Sequence, residues 1–228
     1  MEVANLHGWN LAPAEAIALQ RELAGRVIKK GQRRAVRFVA GVDLAAGGEG
    51  VARGAVVVLS YPGLDLVEVS VVEGSLDFPY IPGLLSFREM PLLLEAFRRL
   101  ATVPDLVLVD GQGLAHPRRL GIACHLGLFL ERPTVGCAKS RLCGSQSEPG
   151  GHPGNRAWLR DNRDIIGAVL RTRAGVKPVY VSAGHRISLN MAVKWVLRCL
   201  RGYRLPEPTR LAHQAAGGNF PRPVISKL

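Results

Sequence analysis

The chain lacks any uninterrupted apolar run near the ~18 residues that cross a bilayer, so no membrane span is expected. Its amino terminus, Met-Glu-Val, sets no basic stretch ahead of an apolar core, which argues against a secretory signal and for a cytoplasmic protein. Cysteine is scarce. Cys124, Cys137, Cys143 and Cys199 include no CxxC pair, so reduced, mostly buried thiols are expected rather than a structural zinc site. Repeats and low-complexity tracts are also missing, and 47% hydrophobic with 21% charged residues excludes wholesale disorder, collagen and coiled coil. At 228 residues the chain is long enough to bury a sizeable core, and a single domain over 1–228 is expected.

Acidic residues are the scarce charge. Against 30 Lys and Arg stand 18 Asp and Glu, a formal net charge of +12 that points to a polyanionic partner. The excess is uneven: residues 171–228 hold eleven Lys or Arg against Glu207 alone, so this segment is expected to face phosphate. A basic, solvated surface is the alternative reading.

Periodicity orders the rest. Leu19, Leu23 and Val27 recur at four-residue intervals, which predicts an amphipathic helix over 13–28 within a helical arm of about 10–34 that closes on Lys29-Lys30 and Arg33-Arg34. Strand-forming stretches at 35–43, 54–60 and 65–72, with Tyr61-Pro62-Gly63 between the last two, predict an antiparallel meander. Leu93, Ala96, Phe97 and Leu100 mark a helix, and 105–109 with 133–138 read as the parallel strands of a βαβ unit. Residues 144–163 read as a turn-rich surface excursion, strands resume at 165–170 and 176–181, a last strong helix covers 187–200, and the tail of about 218–228 is expected to be loosely held. This order fits one mixed α/β sheet flanked by helices.

Three acids sit where apolar structure ends or turns: Asp43, Glu89 and Asp110. If the first and fourth strands lie side by side, Asp43 and Asp110 emerge at one edge, and a helix across that edge brings Glu89 to them. Clustered carboxylates need a divalent cation or a shared proton, and oxygen ligands favour Mg²⁺ or Mn²⁺. Each acid taken alone reads equally as a helix cap or a turn residue.

Five segments in order carry more. Val39-Ala-Gly-Val-Asp43, Pro79-Tyr-Ile-Pro-Gly83 with Leu-Leu-Ser-Phe-Arg-Glu89, Asp105-Leu-Val-Leu-Val-Asp-Gly-Gln-Gly113 with His116, Gly136-Cys-Ala-Lys139-Ser140, and Ser182-Ala-Gly-His185 together resemble the endonuclease V family. The resemblance runs from about residue 10 to about 215. It departs at Asp43, followed here by Leu-Ala-Ala, and at Ala183, where relatives often carry proline; both put strand preference and the choice of DNA over RNA in doubt.

What the resemblance implies is a ribonuclease H-like fold and a Mg²⁺-dependent nuclease, with Mn²⁺ able to substitute. Its substrate would be deoxyinosine in DNA, or inosine in RNA, cut at the second phosphodiester bond on the 3′ side. Asp43 and Asp110 would bind Mg²⁺, and Glu89 would complete the acidic site as metal ligand or as orienter of the attacking water. Lys139 would stand near the scissile phosphate, and His213 would lie close to the metal as a further ligand or a positioner of water, or simply pack on its helix. Pro79, Tyr80, Ile81 and Pro82 would be the wedge that separates strands, while Gly83, Leu85, Gly111 and Gly121 would line the base pocket. His116 and His185 match family positions with a supporting or nucleic-acid-touching role, and the protein would act as a monomer. His7, His125 and His152 receive no role. Two alternatives stand beside this reading: a non-catalytic nucleic-acid-binding module of the same fold, and a general ribonuclease H-like nuclease with no need of the wedge.

Overall fold

The computed structural model describes residues 1–31, 35–46 and 51–220. Arg33-Arg34, the glycine-rich turn after Ala46 and the tail beyond Phe220 lie outside the described residues. Eight strands form one sheet in the order β3-β2-β1-β4-β5-β8-β7-β6. The meander holds as expected: β1 (Phe38–Ala46), β2 (Val51–Ser60) and β3 (Leu66–Ser75) pair antiparallel. On the other side of β1, β4 (Leu106–Val109) and β5 (Thr134–Ala138) run parallel to it, the helix over Leu85–Arg98 leading from β3 into β4 and α3 (Ile122–Leu130) providing the crossover from β4 to β5. The half beyond β5 is antiparallel, through β8 (Val179–Ala183), β7 (Asp164–Leu170) and β6 (Arg156–Asp161).

Helices cover both faces. On one, α2 (Leu85–Arg98) and α3 bury Met90, Leu93, Phe97, Leu126 and Phe129 against Val42, Val56, Val107 and Val109. On the other, α4 (Leu189–Arg198) and α5 (Glu207–Ala216) bury Val193, Val196, Ala212 and Ala215 against Val39, Val57, Leu106 and Leu108. Each such large side chain contributes roughly 1.5–3 kcal/mol of burial. Outside the first layer, α1 (Pro13–Ala24) packs Leu23 on Leu120 and Cys124, and Ala16 on the cluster of Phe78, Leu84 and Phe87. Cys124, Cys137 and Cys199 are buried free thiols and Cys143 is half-buried. Among the described residues no helix is long and apolar enough to cross a membrane.

Several expectations need correcting. The first helix stops at Ala24, four residues early, where Gly25 favours a turn; its buried positions are Ala16, Gln20 and Leu23. The second begins at Leu85, with Pro91 inside it, so Glu89 lies in the second turn rather than at the start. The 144–163 excursion contains a strand, β6, whose Ala157 and Leu159 are buried on one face while Arg156, half-buried Trp158 and Arg160 take the other, a pattern the surrounding glycines and prolines obscured. Helix α5 was not expected as an element: its buried face is made of small residues, Ala212, Ala215 and Ala216, which give little hydrophobic signal.

Candidate functional site

Parallel pairing decides where the acids meet. Val42 is in register with Val109, so Asp110, just past the end of β4, comes beside Asp43, which lies inside β1 rather than after it as expected, because β1 continues to Ala46 in its pairing with β2. The carboxyl end of β4 is the edge where α/β sheets collect ligands. From one face α2 brings Glu89; from the other α5 brings His213, whose Nδ1 lies 2.7 Å from Asp43 Oδ2. Lys139, just past β5, places Nζ 2.5 Å from Asp110 Oδ2. That contact is an ion pair but is not aligned as a hydrogen bond, and Asp110 Oδ2 is a buried acceptor with no directed donor.

The electrostatics are those of an anionic site short of positive charge. Burial, then the neighbouring Asp110, raise the Asp43 carboxyl above its ordinary value, with His213 and Lys139 opposing. Glu89 is pushed up to about 8, mainly by burial and then by Asp43 and Asp110. One ligand atom each from Asp43, Asp110 and His213 fall within 4.8 Å of one another. The tightest set therefore contains His213, and Glu89 stands beside it, close enough to feel both aspartates. Two converging carboxylates with an imidazole beside them suit a divalent cation such as Mg²⁺ or Mn²⁺.

Beside the acids lies a cavity of about 330 Å³, within the range of small-ligand sites. Its lining includes all four glycine and leucine positions expected of a base pocket, Gly83, Leu85, Gly111 and Gly121, together with Tyr80, Ile81 and Pro82 on one side and Asp110 and Lys139 on the other. Tyr80 is 71% exposed at the tip of its loop, flanked by exposed Pro79 and Pro82, while Ile81 packs back on Phe78, Leu84 and Phe87. The loop is tied at both ends. Arg88 donates to the Phe78 carbonyl, and the Gly83 carbonyl accepts from His116 Nε2 at 2.9 Å. Gly83 itself adopts φ +82°, a left-handed turn that glycine makes without strain.

The histidines divide. His116 is buried and lines the cavity, with burial pushing its pKa down to about 4, so it is a neutral donor to Gly83. His185 is also buried but is no part of the cavity lining; its Nδ1 accepts from the Ile28 N–H and fastens the segment after α1 to the end of β8. His125, given no role from sequence, is fully buried and linked to His7 at 2.8 Å and to Ser86 Oγ at 3.0 Å, bracing the first turn of α2. Sequence reasoning also missed Gln20, Gln112, Arg118 and Ser140, which join the cavity or its hydrogen bonds. Gln112 and Ser140 fall inside the motif segments, whereas only tertiary contact marks Gln20 and Arg118.

The basic carboxyl-terminal segment needs a correction. Much of its charge is used internally: Arg171 pairs with Glu148, Arg186 with Glu131 and Arg210 with Glu207, while Arg201 and Arg204 donate to backbone carbonyls. Guanidinium groups cross-link these turns because each offers several donors in one plane. Arg173 and Lys177, between β7 and β8, remain exposed.

A profile of the family described as Endonuclease V matches residues 21–214. The chain belongs to the endonuclease V family. An endonuclease V of Dehalococcoides mccartyi is 56% identical over 217 residues, covering 95% of this chain and 97% of the relative. The crystal structure of endonuclease V from Bacillus subtilis superposes with a TM-score of 0.92 at 29% identity, covering 96% of each chain. Endonuclease V from Ciona intestinalis, solved with a 24-mer DNA containing an inosine followed by a ribo-adenosine, gives a TM-score of 0.79 at 27% identity over 90% of this chain and 96% of that one. The mixed, helix-flanked sheet is thus the ribonuclease H-like fold of endonuclease V, and the family is one of nucleases.

Proposed function

We propose that this endonuclease V is a Mg²⁺-dependent nuclease that extracts and reads inosine, chiefly deoxyinosine in DNA, and hydrolyses the second phosphodiester bond on the 3′ side. The observation that carries the reading is the meeting of Asp43, Asp110 and His213 within 4.8 Å beside a cavity walled by the Tyr80 loop. Asp43 and Asp110 would hold the cation, with His213 as a further ligand or as the orienter of Asp43, and Mn²⁺ would substitute. Such a cation, when bound, supplies Lewis acidity and lowers the pKa of water.

The chain's own groups do the rest. Glu89, buried beside both aspartates, orients the attacking water. Lys139 offers a compact charge to the phosphate once a cation relieves its pairing with Asp110. Tyr80, on a loop stiffened by Pro79 and Pro82 and anchored by Ile81, gives a tip that replaces lost stacking when the base leaves the helix, a cost of roughly a few kcal/mol that is smallest at a weak pair. Backbone groups around Gly83, Gly111 and Gly121 sit where a flat base edge would be read.

The test is a cleavage panel with purified protein and Mg²⁺: inosine, uracil, abasic and undamaged sites, in DNA and in RNA. Both sugars belong in it because the strand bound to the Ciona relative carries a ribo-adenosine after its inosine. Nicking of inosine strands alone, abolished by Asp43→Ala and Asp110→Ala, is the expected result. No cut on either inosine substrate would leave a binding module of the same fold.

A further inference from the structure

Gln20 lies in the middle of the buried face of α1 at 1% exposure, an unusual place for an amide. All of its polar atoms are engaged. Nε2 donates to the Gly83 carbonyl and to the Leu120 carbonyl, each at 2.9 Å, and Oε1 accepts from Arg118 Nε at 2.5 Å. Gly83 ends the Tyr80 loop, and Leu120 stands beside Gly121 on another wall of the cavity. The two hydrogens of one rigid, planar NH₂ group therefore fasten both carbonyls to α1 at a fixed spacing.

Other donors to Gly83 already tie the loop to the segment that carries Leu120. His116 and Arg118 Nη2 bind the same oxygen at 2.9 and 2.8 Å, and both belong to the segment between β4 and α3. Gln20 adds a third element, α1, whose own position is fixed by Ala16 under the loop and Leu23 on α3. We infer that Gln20 is a positioning residue that holds the Tyr80 loop at the distance from the base pocket at which a base is both displaced and read. The inference rests on the inosine reading of the site given above. The acids at the sheet edge make no contact with the Gln20 amide, so its removal bears on substrate binding and not on the hydrolytic step.

Gln20→Met keeps length and apolar packing while removing both donors and the acceptor. Gln20→Asn keeps the groups but is one methylene too short to reach both carbonyls, and it carries the same expectation if the first variant does not fold. The KM for an inosine-containing strand should rise about tenfold with kcat within about twofold, and Mn²⁺ affinity should not change. Amide exchange across residues 79–85 should speed by about tenfold. Unchanged exchange in that loop would overturn the inference whether or not the protein cuts inosine. A loss confined to kcat, or one that only tracks the folded fraction, would also overturn it by reducing Gln20 to a stability element. Failure of the site reading is distinct: it shows as wild-type protein that cuts no inosine strand.

Discussion

His213 Nδ1 stands 2.7 Å from Asp43 Oδ2 across 170 residues of chain. The contact exists because α5 lies directly on β1. A Cβ at Gly41 would fall 1.9 Å from the Pro208 carbonyl oxygen, so the strand needs glycine there for the helix to come this close. The site thus depends on a backbone contact two residues before its first acid.

Gly41→Ala is accordingly expected to push α5 off the sheet, costing about 1–3 kcal/mol as overpacking does, and to part His213 from Asp43. Thermal melts with Mn²⁺ titration check it. A variant that melts and binds Mn²⁺ like the parent would show that the helix is not held by this contact.

His213→Ala should raise the Mg²⁺ concentration for half-maximal cleavage about tenfold while leaving some turnover, as loss of a ligand's partner does. Asp43→Ala should leave none. Rates measured across a Mg²⁺ series distinguish the two, and an unshifted midpoint in His213→Ala would remove the histidine from the metal site.

Glu89 makes the metal-free protein pH-sensitive. Its folded-state pKa of about 8 lies above its ordinary 4.5, so its contribution to stability is fully present below pH 4.5 and is lost as the pH rises through about 8. The loss is of the order of 3–5 kcal/mol. Urea unfolding in chelator should show stability falling over this window, Glu89→Gln should flatten the fall, and Mg²⁺ should recover it in the wild type. A slope that survives Glu89→Gln would place the titration elsewhere.

Tyr80→Ala should leave stability within about 0.5 kcal/mol, since the side chain is 71% exposed. It should instead reduce the preference for inosine over undamaged strands. Competition cleavage of the two strands measures this, and an unaltered preference would favour a general nuclease over a lesion reader.

How legible the molecule was in its sequence varied by element. The meander and the βαβ unit could be read because β-branched runs and tight turns impose themselves locally, but side-by-side placement of the first and fourth strands was only a condition in the sequence and was decided by the sheet order. Strand β6 and helix α5 could not, because an edge strand among glycines and an alanine-faced helix carry weak local signals. The basic tail was legible as charge but not as architecture: arginines that donate to carbonyls look the same in sequence as arginines that await phosphate.

The residues at the site divide in the same way. Asp110, Lys139 and the Pro-Tyr-Ile-Pro-Gly loop were set by the order of residues in the chain, since each follows a strand or stiffens a turn, whereas Asp43, read as the end of the first strand, lies inside β1. That His213 completes the tightest ligand set, that Glu89 takes a proton near neutrality, and that Gln20 joins two walls of a cavity were decided only by folding. Distance and burial govern charge coupling and hydrogen bonding, and neither exists until the faces of the sheet are covered.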